Sequence, residues 1–222
     1  MEQHIVKILS IESETHDTRH LVVEKPEGYT YIPGQATEVS LNRPGWTENK
    51  HPFTFTTLNT NPNLEFIIKI YNDKHGITEQ IGKLKAGHEI ILHDVWGTIN
   101  YAGPGYFIAG GAGITPFIAI LRQLHNDNKL DGNLLLFSNK TEKDIILKDE
   151  FEKMLGKNAV FTLTDEKNPK YENRVIDENF LKDYIKDWDK KFYICGPDAM
   201  VAGIKETLTK MGAKADEVVF EK

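Results

Sequence analysis

The chain has 222 residues, of which 40% are hydrophobic and 27% are charged, and its formal net charge is −6. These values are typical of a folded protein with a sizeable core, and the lack of a basic block argues against a nucleic-acid partner. No stretch approaches the roughly 18 apolar residues that a membrane-spanning helix needs, so no membrane partner is expected.

The cysteine content and the N-terminal residues bear on the cellular compartment. The single cysteine, Cys195, excludes an internal disulfide and an iron–sulfur cluster held by about four cysteines. Residues 1–10 lack the basic and long apolar regions of a secretory signal. We therefore expect a cytoplasmic protein. The eight histidines show no metal-binding spacing such as H-E-x-x-H, so no metal site is expected.

Residues 1–102 are predicted to form a small antiparallel barrel. Runs of β-branched and aromatic residues, often alternating with polar ones, are separated by glycine, proline and asparagine, as in strands joined by turns. A short helix is expected at 77–84, between the last two strands. Six strands in about 100 residues suit a barrel. The predicted strands are residues 4–13, 19–25, 35–41, 52–58, 64–71 and 88–94.

Residues 103–222 follow a different pattern, in which apolar strand candidates alternate with helical segments. This alternation predicts an α/β domain with a parallel sheet covered by helices on both faces. Apolar residues recur at helical spacing from Phe117 to Leu124 and again from Met200 to Met211. The segment 101–106 is the expected hinge between the two domains. The predicted strands are residues 106–109, 133–138, 159–164 and 191–195.

A glycine-rich stretch, "GGAGITPF" at 110–117, falls at the first strand-to-helix turn of the α/β domain. Thr115 is expected to cap the following helix and Pro116 to occupy its first turn. The unpaired N–H groups of a helix N-terminus favour a phosphate, and glycines allow it to approach the backbone. The stretch departs from the dinucleotide fingerprint G-x-G-x-x-G because Pro116 stands at the last glycine's place. A tight turn that needs positive φ remains the alternative.

Five short motifs follow one another along the chain with plausible spacing. They are "PGQ" at 33–35, "HPFT" at 51–54, "GIT" at 76–78, "GAGITP" at 111–116 and "CGPDAM" at 195–200. In this order they resemble the ferredoxin–NADP reductase superfamily, and within it the short bacterial flavodoxin/ferredoxin reductases, from about residue 5 to the last residue. The resemblance implies a flavin-binding barrel with FAD, a nicotinamide-nucleotide domain, and an active site in the cleft between them.

The resemblance assigns "HPFT" to the flavin. In the family an arginine pairs with the pyrophosphate, an aromatic residue stacks on the isoalloxazine, and a hydroxyl hydrogen-bonds near N5. Phe53 is the implied stacking residue and Thr54 the implied donor toward N5. His51 stands where arginine is usual, and a neutral imidazole offers one donor in place of a charged fork. Lys50 is a candidate for the missing charge.

A second flavin segment is implied at "KIYNDKHGIT". Lys69 and Tyr71 are two residues apart, so they should face the same side of a strand. Gly76 and Thr78 open the predicted helix and would offer a backbone N–H and a hydroxyl to the pyrophosphate. The alternatives are a solvated strand residue for Lys69 and barrel packing for Tyr71.

The nicotinamide side is implied by two loops and the C-terminal segment. The family places the cysteine of "CGP" beside the nicotinamide, where it orients the hydride donor, and an acidic residue matching Glu221 near the flavin–nicotinamide junction. The resemblance thus makes Thr54, Cys195 and Glu221 the catalytic candidates. The alternatives are a small buried hydrophobe for Cys195 and a surface residue for Glu221. The implied nucleotide-binding residues are Gly111, Gly113, Ile114, Thr115, Pro116, Gly196 and Pro197.

The preferred dinucleotide is read from the second strand of the α/β domain. Ser138 and Lys140 lie at its end, where an acid would favour NADH and a cation the 2′-phosphate of NADPH. Arg174 is a second candidate cation, so NADPH is favoured over NADH.

The resemblance implies an oxidoreductase that passes electrons from NAD(P)H through FAD to a separate carrier such as flavodoxin or ferredoxin. A reductase component for a separate oxygenase or a ferric chelate is the enzymatic alternative. His51 also keeps open a non-catalytic flavin- or nucleotide-binding regulatory module.

Overall fold

A computed structural model describes residues 3–97 and 99–214, and the backbone of residues 218–220. The chain forms two units, one comprising Met1–Asn100 with Thr115–Gln123, and the other Tyr101–Ile114 with Leu124–Lys222. Among the described residues, no helix is long and apolar enough to cross a membrane.

The first unit contains a six-stranded antiparallel sheet in the order β4-β3-β6-β1-β2-β5, which confirms the predicted barrel strands. Its outer strands are joined just beyond β4, where the Thr56 N–H donates to the Glu65 carbonyl at 3.0 Å. The strands are β1 (His4–Thr15), β2 (Thr18–Glu24), β3 (Ala36–Leu41), β4 (His51–Thr54), β5 (Asn63–Lys69) and β6 (Glu89–Trp96).

The interior of this sheet is apolar, because alternate residues of its strands point inward. Phe55 and Phe66 are fully buried within it. The short helix α1 (Ile77–Ile81) buries Ile77 and Ile81 in the same core.

Strand β4 ends earlier than predicted, at Thr54 and not at residue 58. The cause is a change of hydrogen-bond partners: the Phe55 N–H donates to the Gln35 carbonyl, and the Thr56 N–H turns to Glu65 on β5. Residues 54–58 are consequently all buried, and the alternation of a two-faced strand is lost.

The second unit contains a five-stranded parallel sheet in the order β11-β10-β7-β8-β9, which confirms the predicted parallel sheet. From β7 the chain first builds outward through β8 and β9, and then returns to the other side of β7 with β10. The strands are β7 (Gly105–Gly110), β8 (Leu134–Asn139), β9 (Ala159–Leu163), β10 (Lys191–Cys195) and β11 (Val218–Phe220). The helices of this unit are α3 (Lys148–Leu155), α4 (Glu178–Tyr184) and α5 (Asp198–Lys210). Helix α2 (Thr115–Asn126) belongs mostly to the first unit, which includes Thr115–Gln123.

Strand β9 is an outer strand of the parallel sheet, and the chain around Glu172 covers part of its edge. The Leu163 N–H donates to the Glu172 carbonyl at 2.9 Å, and the Glu172 N–H donates to the Phe161 carbonyl at 3.2 Å. The Thr162 hydroxyl donates to the carbonyl of Arg174. This short stretch therefore acts as an additional strand along β9.

Candidate functional sites

The loop after β7 leads directly into a helix. Residues Gly111–Ile114 form a 3₁₀ turn that continues into α2, which begins at Thr115. Thr115 is thus the first helical residue and not the expected cap, because the 3₁₀ turn precedes it without a break. Pro116 stands in the first turn as predicted.

The glycines of this loop are required by the neighbouring loop after β10. A Cβ at Gly113 would lie 2.4 Å from the Cys195 carbonyl oxygen, and one at Gly110 would lie 2.4 Å from Met200 Sδ. Met200 belongs to α5 and its flexible side chain can move, whereas the contact at Gly113 is with backbone. The two loops therefore approach closely at Gly113 only because it has no side chain. Gly111 differs, since its φ is +51° and its Cβ position faces open space.

Cys195 is the last residue of β10 and is 7% exposed. It pairs with Ala109 of β7, so the loops that follow these two strands leave the sheet side by side. The strand order reverses between β7 and β10, and ligands of open α/β sheets bind outside the carboxyl ends of strands at such a point. Gly196 is half-buried, and Pro197 is exposed just before α5. The structure thus brings the two predicted nicotinamide-side loops together.

The carboxyl end of β8 carries a residue that sequence reasoning missed. Asn139 is 5% exposed, and neither atom of its side-chain amide has a hydrogen-bond partner among the described residues. A buried amide without partners is costly, and a polar ligand at this edge would satisfy it, so the site fits a nucleotide. Ser138 is half-buried, and Lys140 is exposed just beyond the strand. The sequence signal that could have identified Asn139 is a polar residue at the end of a parallel strand.

Arg174 is engaged within the second unit. Its Nε lies 3.0 Å from Glu172 Oε2, and its Nη2 lies 2.7 Å from Asp183 Oδ2. The guanidinium also stacks on the ring of Phe180. Two carboxylates therefore neutralise the side chain that was expected to serve as a second cation for NADPH.

Strand β4 carries the three residues of the first flavin motif. His51 is exposed opposite Val39, and Phe53 is half-buried, packing partly against the barrel core. Thr54 is 8% exposed. The hydroxyl of Thr56, two residues further along, is buried and has no hydrogen-bond partner among the described residues, so a polar atom of a bound flavin beside this motif would satisfy it.

The second flavin segment differs from its prediction. Strand β5 ends at Lys69, so Tyr71 lies beyond it and the expected strand through residue 71 is wrong. Lys69 Nζ lies 2.8 Å from Asp17 Oδ2. Burial raises the pKa of Asp17, but the hydrogen bond and the charge of Lys69 outweigh it and lower that pKa. Lys69 thus has a carboxylate partner within the barrel.

Tyr71 is 39% exposed, and Lys74 Nζ lies 4.9 Å from the centre of its ring. The Tyr71 N–H donates to the Thr78 hydroxyl at 3.4 Å. Gly76 precedes α1 in an extended conformation. Because α1 has only five residues, aligned peptide dipoles contribute little charge there.

Two arginines near these segments were missed by sequence reasoning. Arg122 of α2 donates from Nη1 to the Thr56 carbonyl at 2.8 Å and lies 3.4 Å from Glu65 Oε2, which is also 3.1 Å from His20 Nε2. Arg43 donates from Nη2 to Gln80 Oε1 at 2.7 Å. Both contacts join segments that are distant in sequence, so no local sequence pattern could predict them.

The contact between His20 and Glu65 shifts the pKa values of both residues. The hydrogen bond with Glu65 raises the pKa of His20 in spite of its burial. The same hydrogen bond, with the charges of His20 and Arg122, lowers the pKa of Glu65 against the effect of burial.

The third catalytic candidate of the sequence, Glu221, lies outside the described residues.

Comparison with known proteins finds two family matches, one in each half of the chain. Residues 3–93 match the family model of an FAD-binding domain, and residues 107–206 match that of an oxidoreductase NAD-binding domain. The chain therefore belongs to the ferredoxin–NADP reductase superfamily of FAD-dependent NAD(P)H oxidoreductases.

Two relatives and one solved structure illustrate the similarity. NADH-cytochrome b5 reductase 2 of Mycosarcoma maydis is 27% identical over 94% of this chain and 69% of its own length. The reductase component of propane 2-monooxygenase of Rhodococcus jostii is 25% identical over 97% of this chain and 62% of its own length. A ferredoxin NADP⁺ reductase from Neisseria gonorrhoeae with bound FAD and NADP shares the fold, with a TM-score of 0.86 and 20% identity over 100% of this chain and 98% of that one. The chain thus spans about two thirds of the length of these two relatives.

Proposed function

We propose that the protein takes reducing equivalents from NAD(P)H and, through FAD, passes them to a separate electron carrier. The observation that carries the proposal is the pair of loops at the switch point of the parallel sheet, where Gly113 lies against the Cys195 carbonyl. An FAD-binding family match precedes this nicotinamide-type site on the same chain. We assign residues 1–102 to FAD and residues 103–222 to NAD(P).

FAD, when bound, supplies the chemistry that converts a two-electron hydride donor into a source of single electrons. Phe53 would stack on the flavin ring, and the Thr54 hydroxyl would donate a hydrogen bond toward N5. Cys195 would orient the nicotinamide from the end of β10, and the loop 111–116 would bind the adjoining phosphates. Glu221 is assigned to the junction of the two cofactors on the resemblance alone.

NADPH is the proposed donor, with NADH as the alternative. No acid ends β8, where an acid would bind the ribose hydroxyls of NADH. Lys140 is exposed just beyond that strand, where it would meet a 2′-phosphate. With Arg174 held by two carboxylates, the proposed preference depends on Lys140.

The proposed acceptor is a flavodoxin or a ferredoxin-type carrier. A terminal oxygenase is the second candidate, favoured by the similarity to a propane 2-monooxygenase reductase component. A cytoplasmic location belongs to the proposal, because a protein with one cysteine suits a reducing compartment.

An anaerobic titration tests the proposal directly. The flavin-loaded protein is titrated with NADPH and then with NADH while the absorbance of oxidised flavin is followed. Loss of that absorbance with one or both donors is expected. A flavin that remains oxidised with both would contradict the reductase assignment and favour a regulatory module.

The donor preference is tested by Lys140→Met, with Lys143→Met in the same exposed loop as the matched control. The KM for NADPH should rise by roughly 10-fold with Lys140→Met, because one charge-assisted contact to the 2′-phosphate is lost. The KM for NADH should stay constant in both variants. Equal changes in the KM for NADPH and the KM for NADH would show that Lys140 does not contact the 2′-phosphate.

A further inference from the structure

Arg43 begins a tight turn between β3 and β4. The turn has the sequence Arg-Pro-Gly-Trp, and the Trp46 N–H donates to the Arg43 carbonyl at 3.1 Å. Gly45 has φ +81°. Proline at the second position and a positive-φ glycine at the third define a type II turn, which fixes the backbone from which the Arg43 side chain extends.

The Arg43 guanidinium is held in place but not neutralised. Its Cζ lies 5.4 Å from the centre of the Trp46 ring, and Nη2 donates to the neutral amide oxygen of Gln80. Its Nε is buried, and no described residue accepts a hydrogen bond from it. Arginine carries five N–H donors and a permanent charge, so an uncharged amide satisfies only part of its needs.

No carboxylate among the described residues forms an ion pair with Arg43. The acid next to Gln80, Glu79, is already bound by Lys83 at 2.5 Å and by His75 at 3.1 Å. Two other cations of this unit have carboxylate partners, since Lys69 pairs with Asp17 and Arg122 lies against Glu65. Arg43 combines the lack of a carboxylate with a buried Nε that has no acceptor among the described residues, which is costly and indicates an anionic ligand from outside the chain.

The position of Arg43 identifies that ligand. Its turn lies on the connection that leads into β4, and its hydrogen bond reaches α1, which follows Gly76. These are the two segments assigned above to the flavin. His51, where the superfamily has arginine, is exposed.

We propose that Arg43 binds the diphosphate of FAD and supplies there the positive charge that His51 does not provide. This inference rests on the proposed function. The Nε–H and the remaining Nη donors point to a bidentate contact with phosphate oxygens, for which the guanidinium geometry is suited.

The test compares two flavins on the full chain after removal of its flavin. FAD carries the diphosphate and riboflavin carries no phosphate, so a diphosphate contact affects only the first. Arg43→Met keeps the apolar stem on Trp46, and its FAD dissociation constant should rise roughly 10- to 100-fold, as expected for loss of a hydrogen bond to a charged group. The riboflavin constant should change by less than about 2-fold, and the FAD effect should shrink in high salt.

Three further variants complete the design. Arg43→Lys should recover part of the FAD affinity, and His51→Arg placed in the Arg43→Met protein should recover most of it. Arg19→Met is the matched control, because Arg19 is a half-buried arginine that donates only to the adjacent Thr18 carbonyl. Its FAD constant should not change.

Each other outcome overturns the inference. Equal losses for FAD and riboflavin would make Arg43 an anchor of the turn only. An FAD-specific loss with Lys50→Met and none with Arg43→Met would transfer the role to Lys50. A wild-type protein that binds no FAD would overturn the proposed function as well, whereas normal FAD binding by Arg43→Met would overturn this inference alone.

Discussion

The loops after β7 and β10 and the segments around β4 and α1 keep their shapes by different means. In the parallel sheet, Gly113 lies against the backbone of Cys195 with no room for a side chain between them. In the barrel, long charged side chains join segments that are far apart, as Arg43 does with Gln80 and Arg122 with Glu65. The contact between the two loops leaves no room for an added atom, whereas the contacts in the barrel depend on the charge and length of the side chains. We therefore expect the two regions to respond to substitution in opposite ways.

The largest effect is expected from adding one methyl group between the two loops. Gly113→Ala would place Cβ 2.4 Å from the Cys195 carbonyl oxygen. The backbone must move, so the free energy of unfolding should fall by roughly 2–3 kcal/mol. The KM for NAD(P)H should rise as well. Thermal unfolding and steady-state kinetics measure these changes.

Gly203→Ala is the control for this substitution. Gly203 lies within α5 with nothing near its Cβ position. Alanine there should be neutral or stabilise the protein by up to about 1 kcal/mol. Unfolding of Gly113→Ala at the wild-type temperature would contradict the idea of backbone contact.

On the barrel side, Arg122→Met removes a hydrogen bond to the Thr56 carbonyl and leaves Glu65 with His20 alone. The free energy of unfolding should fall by about 1–2 kcal/mol. Because Thr56 follows Thr54 by two residues, FAD affinity should fall too, which thermal unfolding and flavin titration would detect. Arg19→Met should leave FAD affinity unchanged. A stability loss with unaltered flavin affinity would limit Arg122 to a structural role.

A smaller effect, in the opposite direction, is expected from His51→Arg. The imidazole offers one donor, whereas arginine offers a charged fork. FAD affinity should increase by about 3- to 10-fold, as read from flavin fluorescence titration. The gain should be larger when Arg43 is replaced by methionine. Identical FAD dissociation constants before and after the change would show that residue 51 does not contribute to FAD binding.

The smallest effect concerns pH. The folded-state pKa of His20 is raised, mainly by its hydrogen bond with Glu65. This contribution to stability is complete below the unfolded pKa of about 6.5 and is lost as pH rises through the folded value. Between about pH 6 and pH 8 the protein should therefore lose a few tenths of a kcal/mol that His20→Gln does not lose.

Urea unfolding at the two pH values measures this difference. His88→Gln, which alters an exposed histidine bound only to the Lys85 N–H, should keep the pH dependence of the wild type. The pKa of Glu65 is lowered by His20, so its own contribution is present above about pH 4.5 and is lost as pH falls. If the free energy of unfolding of His20→Gln depended on pH as the wild type does, His20 would not be the source of this pH dependence.

Most of the fold could be predicted from the sequence, because its signals are local. Alternating apolar residues defined the barrel strands, and the change of period after residue 103 defined the α/β domain. The glycines at 110–113 and the cysteine that ends β10 also marked the right turns. The physical reason for these glycines was only partly foreseen, because Gly113 lies against the backbone of Cys195.

The remaining features depend on contacts that no window of sequence contains. The early end of β4 follows from Thr56 meeting Glu65. Arg174 was a candidate cation for NADPH, but its carboxylate partners Glu172 and Asp183 become apparent only in the folded chain. The missing partner of Arg43 is likewise a property of three-dimensional packing.

The stretch that runs along β9 bears on how the molecule behaves at high concentration. An outer strand with unpaired N–H and C=O groups is a template on which other chains assemble. Glu172 occupies part of that edge, and its side chain is bound by Arg174 and by the Tyr184 hydroxyl at 2.6 Å. Arg174 thus helps to hold the stretch that covers this edge, and we expect its replacement to increase the turbidity of concentrated solutions.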